Sequence, residues 1–418
     1  MYQIKDTDTF YRTDPWNKPY DVRVSWLKEA KAKGRHTVAY LYPVFDSSTF
    51  RYRGYNVVET LEYSSRWTGS YFELKDIKKL IDDLNSVDVL VLIRCAWDFD
   101  IEKLIQKAKE KGIKICYDVD DLIYHSRYMP YIIHALGLQK SVWNYWFGLT
   151  VRNGKVLEMC DATITTNDFL AKYLSADYPD KKCYVLKNYL NWIQEEASEE
   201  YFRQKIKQNT KDEFIIGYFS GSPTHVKDLV SVLPEIEEFM KEHSEVILEI
   251  VGYMDLPEKY DYLRKRKKIR FVPFQTFVGL QREQAKVDIN IVPLVNNEFS
   301  NCKSELKYFE TAIVGTPTCA TPSFTYSSAI ENGENGYLCE KGEWLRAFEK
   351  LYKQKNDVGF KQRIHDIALK DYAGINQLDY LEKMLESILE LKYTHGCTEP
   401  MILFFPIGTS NLRTYFHH

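Results

Sequence analysis

The sequence predicts an α/β protein built from two Rossmann-like domains that face each other across a cleft. Three observations carry this. Short β-branched or aromatic runs alternate with amphipathic helical stretches, the pattern of parallel sheets covered by helices. The alternation begins twice, on either side of a polar stretch at 188–211 rich in Glu, Gln and Lys. The 418 residues, 44% of them hydrophobic, are enough for two or three domains with a core each.

In the first array the strands read 36–42 (HTVAYLY), 87–94 (VDVLVLIR), 113–118 (IKICYD), 162–166 (ATITT) and 183–186 (CYVL). A helix at 101–111 joins the second to the third, because Ile101, Leu104, Ile105 and Ala108 recur at helical spacing. The second array starts at Phe214 with FIIGYFSGSPTH, followed by strands at 246–251, 269–272, 288–293 and 318–320. Helices are expected at 227–242, 258–266, 304–314 and 342–354. At 378–391 (LDYLEKMLESILEL), Leu378, Leu381, Leu385, Ile388 and Leu389 share one face. The expected organisation is therefore a first domain at 1–190, a second at 191–375, and a closing helix and tail at 376–418.

Charge excludes one class of partner. With 56 Lys and Arg against 59 Asp and Glu, a formal net of −3, the chain lacks the basic footprint of a nucleic-acid binder. Eight cysteines are scattered without any C-x-x-C spacing, which argues against a structural zinc and for a reduced compartment. Residues 1–35 open polar and lack the apolar core of a signal peptide. No run reaches the roughly 18 apolar residues of a membrane span. The expected location is cytoplasmic, with peripheral contact at the inner face of the membrane left open.

The strongest local signal is Lys303-Ser-Glu-Leu-Lys307-Tyr-Phe-Glu310, after the strand 288–293. A loop at a strand's carboxyl end that opens a helix is where α/β folds bind ligands. Spaced i,i+4, Lys303 and Lys307 would share one diphosphate, and Glu310 would accept from ribose hydroxyls. A solvated helix face reads the same way. In a second strand-to-helix turn, Gly221 and Ser222 would let backbone approach a phosphate, with His225 or Lys227 reaching the same anion.

The segment FETAIVGTPTCAT, followed by Ala329-Ile-Glu-Asn-Gly-Glu-Asn-Gly336, resembles the donor region of GT-B glycosyltransferases of family GT4. In that family a helix glutamate precedes an A-x-x-x-G-x-P turn, and an I-x-x-G-x-N-G loop follows. The resemblance covers roughly 214–351, and it implies that the helix and tail at 376–418 cross back to the first domain. It implies that Glu310 is the ribose-binding glutamate at the second position of an E-x7-E motif, whose first position falls here on Cys302. Glu298 or Glu305 would replace the missing acid only along a different backbone path. The family's phosphate-binding arginine also has no counterpart, a role that would pass to Lys303. What the resemblance implies is a retaining glycosyl transfer from a nucleotide diphosphate sugar to a saccharide or lipid-linked glycan, in surface polysaccharide or glycoconjugate synthesis. With the charge of Lys303 and Lys307 offsetting that which develops on the leaving nucleotide, no cofactor beyond that donor and no metal is expected.

Three further features belong to the first domain. Asp118, Asp120 and Asp121 close the strand 113–118; they are read as catalytic carboxylates that orient or deprotonate the acceptor, as oxygen ligands for a cation, or as a helix cap. Arg51 and Arg53 flank Tyr52 in a loop that resembles the Y-R loop of some GT4-like polysaccharide enzymes, and would both point into the cleft toward phosphate or carboxylate. Trp143, Trp146 and Phe147 form an aromatic stripe at helical spacing, read as core packing or as a dock for a lipid-linked acceptor. The D-x-D at Asp118 keeps a metal-dependent GT-A transferase as an alternative, beside a sugar-nucleotide epimerase and a non-catalytic nucleotide-binding protein.

Overall fold

The apolar runs become two stacks of parallel strands. The computed structural model describes residues 14–207, 212–221, 226–252, 254 and 256–391. The first domain contains β1 (His36–Tyr42), β2 (Trp67–Glu73), β3 (Val89–Ile93), β4 (Lys114–Asp118), β5 (Ala162–Thr165) and β6 (Lys182–Val185). The second contains β7 (Phe214–Ser220), β8 (Val246–Gly252), β9 (Ile269–Val272), β10 (Ile289–Val292), β11 (Thr318–Ala320) and β12 (Gly336–Leu338). Each sheet is six-stranded, in the orders β2-β1-β3-β4-β5-β6 and β12-β11-β10-β7-β8-β9. Neighbouring strands run parallel throughout. Helices cover both faces, so β3 (VLVLI) is buried at every position, as a continuous apolar run requires.

The helix between β3 and β4, Phe99–Glu110, buries Ile101, Leu104, Ile105 and Ala108 as the spacing predicts, and starts where Asp98 Oδ1 accepts from the Ile101 N–H at 2.8 Å. The sequence reading missed the edge strands β2 and β12 and several helices, among them Tyr20–Ala32, Asp168–Asp177, Phe277–Lys286 and Val358–Tyr372. Two segments are more regular than expected. The polar stretch after residue 188 is largely the helix Trp192–Lys207, and residues 51–61 are helical, a wide turn Arg51–Tyr55 running into Asn56–Leu61. The expected tail at 393–418 lies outside the described residues.

Two crossings tie the domains together. Helix Trp192–Lys207 leaves the first sheet and packs on the second domain, where Lys205 Nζ donates to the Val287 carbonyl at 2.9 Å. The chain returns beside it, with the Leu190 N–H on the Tyr372 carbonyl at 2.9 Å and the Gly374 N–H on Glu195 Oε1 at 2.8 Å. Helix Leu378–Leu389 then lies against the first domain: Tyr380 Oη donates to the Val185 carbonyl at 2.8 Å, Lys182 Nζ to Ser387 Oγ at 2.7 Å, and Arg66 pairs with Glu382 and Glu386. The apolar core runs on through this junction, where Tyr52 meets Phe309 edge-on at 6.0 Å and Trp16 meets Phe277 at 5.7 Å.

Candidate active site

Between the carboxyl ends of the two sheets lie two adjoining cavities. The larger, about 260 Å³, is walled by Thr49, Arg94, Asp120 and Asp121 from the first domain and Lys303, Ser304, Lys307 and Tyr326 from the second. The smaller, about 200 Å³, is lined by Arg51, Phe219, Gly221, Gly252, Phe277 and Glu310. Ser48, Tyr52, Leu306 and Lys307 belong to both.

The three aspartates divide into two roles. Asp118, the last residue of β4, is buried and takes two hydrogen bonds from Arg53, Nε at 2.9 Å and Nη2 at 2.8 Å. Arg53 is equally buried and also donates to the Leu186 carbonyl at 2.6 Å and to Asn188 Oδ1 at 3.0 Å. Both expectations fail for this pair. Asp118 is no catalytic base and Arg53 no anion ligand, because each satisfies the other inside the first domain. The reason is local: residues two apart diverge on a helical turn, so Arg53 turns inward and Arg51 toward the second domain.

Asp120 and Asp121 remain at the cavity wall, gripped by Arg94. Its Nε donates to Asp120 Oδ1 and its Nη2 to Asp121 Oδ2 at 2.6 Å, while Thr49 Oγ1 donates to Asp120 Oδ2 at 3.3 Å. Arg94 follows β3 with φ +47°, a strained conformation for a side chain of this size. Burial works to raise the Asp121 carboxyl, but Lys303, 3.5 Å away, and Arg94 outweigh it and hold it below the usual range. The guanidinium thus fills the place between the carboxylates where a cation would bind. Sequence reading missed Arg94; its one signal was a cation closing an otherwise apolar strand.

On the opposite wall the helix begins at Leu306, not at 304, so Lys303 precedes it and the two lysines do not share a helix face. They converge all the same, both lining the larger cavity. Lys307 Nζ sits 5.2 Å from the Tyr218 ring and has no carboxylate within ion-pairing distance among the described residues. Burial pushes its ammonium down to about 8. An unpaired cation in such a place is costly unless an anion joins it.

Glu310 is buried, with Oε1 accepting from Arg51 Nη2 at 3.1 Å and from Tyr52 Oη. Arg51 stacks 4.2 Å over the Tyr52 ring and keeps Nη1 buried without an acceptor among the described residues. Gly221 borders the same cavity, with nothing within 4 Å of where a Cβ would stand. Ser222 and His225 lie outside the described residues. Neither acidic substitute for the motif's first position faces the cavity: Glu305 is buried and accepts from Tyr372 Oη at 3.0 Å, and Glu298 opens a short helix beside it. Cys302 is buried, its carbonyl taken by Asn167 Nδ2 of the first domain at 2.7 Å.

Residues 213–354 match the family described as Glycosyl transferases group 1. Solved structures extend the likeness to the whole two-domain body. A glycosyltransferase from Rickettsia africae superimposes with a TM-score of 0.56 at 13% identity, covering 86% of this chain and 100% of that one. Sucrose-phosphate synthase from Thermosynechococcus elongatus gives 0.55 at 13% identity, covering 84% and 100%. HepE from Anabaena, solved with UDP and glucose, gives 0.53 at 11% identity, again covering 84% and 100%. A comparison with curated protein sequences finds no match. The fold is GT-B, and this overturns the GT-A alternative, which needs a different architecture.

Proposed function

We propose that the protein is a glycosyltransferase that moves a sugar from a nucleoside diphosphate sugar, bound mainly by the second domain, to a hydroxyl of a saccharide or lipid-linked glycan. The observation that carries this is the unpaired Lys307 ammonium at the point where the two interdomain cavities join. A diphosphate there would meet Lys307 and Lys303. The ribose would extend into the smaller cavity toward Glu310, past the open backbone at Gly221.

Positive charge at the leaving diphosphate stabilises what develops as the glycosyl bond breaks, so transfer proceeds without a metal. Asp120 and Asp121 face the donor site from the first domain and orient or deprotonate the acceptor. The resemblance to family GT4 supports retention at the anomeric carbon. The cysteines of the described residues, all free, support work in a reducing compartment such as the cytoplasm, and the resemblance to family GT4 supports synthesis of surface polysaccharide or glycoconjugate.

The test is product analysis. UDP-, GDP-, dTDP- and CDP-sugars are incubated with mixed glycan acceptors and with none. Release of nucleoside diphosphate together with a lengthened glycan supports the reading. Conversion of the donor to a different nucleotide sugar without acceptor marks an epimerase; binding with no turnover marks a non-catalytic protein.

A further inference from the structure

A buried glutamine stands behind the carboxylate assigned to the ribose. Helix Leu306–Ala312 is short, and its end tightens: the Val314 N–H donates to the Thr311 carbonyl at 3.2 Å and passes over that of Glu310. The last carbonyls of a helix need partners from outside it. Gln281, fully buried on helix Phe277–Lys286, supplies this one, its Nε2 donating to the Glu310 carbonyl at 3.0 Å. The same Nε2 donates to Ser198 Oγ at 2.7 Å, on the helix Trp192–Lys207 that carries the chain from one domain to the other. A carbonyl only accepts, so the amide cannot be turned round. Its Oε1 is left buried without a partner among the described residues.

A buried oxygen without a donor is costly, and a methionine would fill the same space without one. What the glutamine adds is placement. One amide group fixes the main chain of Glu310 against the crossing helix, while the Glu310 carboxylate meets Arg51 and Tyr52 of the first domain. Asn290, from β10, does the same a turn earlier, its Nδ2 donating to the Lys307 carbonyl at 2.9 Å. The two anchored carbonyls thus belong to the two charged residues of this helix, both on the wall of the smaller cavity. Gln284, as deeply buried on the same helix as Gln281, has neither amide atom bonded among the described residues and anchors nothing in the site.

We propose that Gln281 is a positioning residue for the donor site, setting where Glu310 stands in the smaller cavity and tying it to the helix that joins the domains. This rests on the reading of Glu310 as the ribose carboxylate. A ribose is held alike before and during sugar transfer, so loss of the position is felt in donor KM and not in kcat.

The test uses the full chain and whichever of the UDP-, GDP-, dTDP- and CDP-sugars the parent turns over. Gln281→Met keeps the length of the side chain and removes the amide. It should raise donor KM tenfold or more with kcat nearly unchanged, whereas Gln284→Met should leave both as they are. In the Glu310→Ala background Gln281→Met should add nothing further to KM, because the group it positions is gone. Ser198→Ala removes only the outer anchor; it should raise KM severalfold, and it carries the test if Gln281→Met does not fold. A Gln281→Met variant with a lowered melting temperature and the parent's KM would overturn the proposal, because that is the signature of packing alone. So would full additivity with Glu310→Ala, or, where Gln281→Met does not fold, an unchanged KM in Ser198→Ala. Unchanged donor binding by Glu310→Ala would instead remove the ribose reading, and the proposal with it.

Discussion

Arg51 of the first domain and Glu310 of the second are joined by a 3.1 Å hydrogen bond inside the interdomain cleft. Tyr52 donates to the same carboxylate oxygen. The group assigned to the ribose is thus already engaged by the facing domain, and an entering nucleotide has to share or displace these donors. Arg51 also offers it Nη1, which is buried without an acceptor among the described residues.

Glu310→Ala is therefore expected to weaken nucleotide-sugar binding. A hydrogen bond to a charged group contributes about 1.5–3 kcal/mol, a loss of tenfold or more. Tyr52→Phe removes a competitor for Oε1 and should raise affinity severalfold. Calorimetric titration of both variants, each checked for a native melt, measures the two effects. Unchanged binding by Glu310→Ala would remove the ribose assignment.

Lys307 gives the site a pH dependence. Its folded-state pKa is lowered to about 8, the value set by burial together with Asp228, Lys303 and Glu310. The ammonium is charged below that pH and neutral above it, while a nucleotide sugar's diphosphate diester keeps its charge. Donor affinity should be level below pH 8 and fall as pH rises above it. Lys307→Met should bind weakly at every pH and lose the slope; a slope that survives in that variant would place the titrating group elsewhere.

The aspartates should separate under substitution. Asp118→Asn leaves Arg53 buried beside a neutral partner, and removing one member of a buried ion pair costs about 3–5 kcal/mol, so its signature is a lowered melting temperature. Asp120→Asn sits at the cavity wall, and loss of a positioned base typically costs 10²–10⁴-fold in rate. It should slow transfer while donor affinity and melting stay near those of the parent. An Asp120→Asn variant with full transfer rate would end its acceptor role.

What the sequence revealed and what it hid follow from how each element packs. β3 was legible because burial on both faces demands an unbroken apolar run. β2 was not, because helix Asn56–Leu61 presses on it at Gly69, where a Cβ would come within 3.0 Å of Val58 and 3.1 Å of Leu61. A small residue serves that contact and erases the alternation that signals a strand. In the segment read as a loop around Arg51 and Arg53, Gly54 lies on a helical turn and marks close approach to Phe50, 2.8 Å from where a Cβ would lie.

At the site, residue types were legible and pairings were not. Local spacing put Lys303, Lys307 and Glu310 near one another. Only the folded chain shows that Arg53 is spent on Asp118, or that Arg94 spans Asp120 and Asp121, because such pairings depend on which strand ends become neighbours.

Excess chelator should leave transfer unchanged, since Arg94 occupies the space between Asp120 and Asp121. Loss of activity in chelator and its return with Mn²⁺ would show that this cluster opens to take a cation.

The most direct measurement is calorimetric titration of the parent, Lys307→Met and Glu310→Ala with UDP-, GDP-, dTDP- and CDP-sugars. The account predicts that at least one donor binds the parent at a single site and that each substitution weakens it tenfold or more with the fold intact. If none of the four binds, or if the one that binds does so equally well in both variants, the nucleotide-sugar site is not in this cleft.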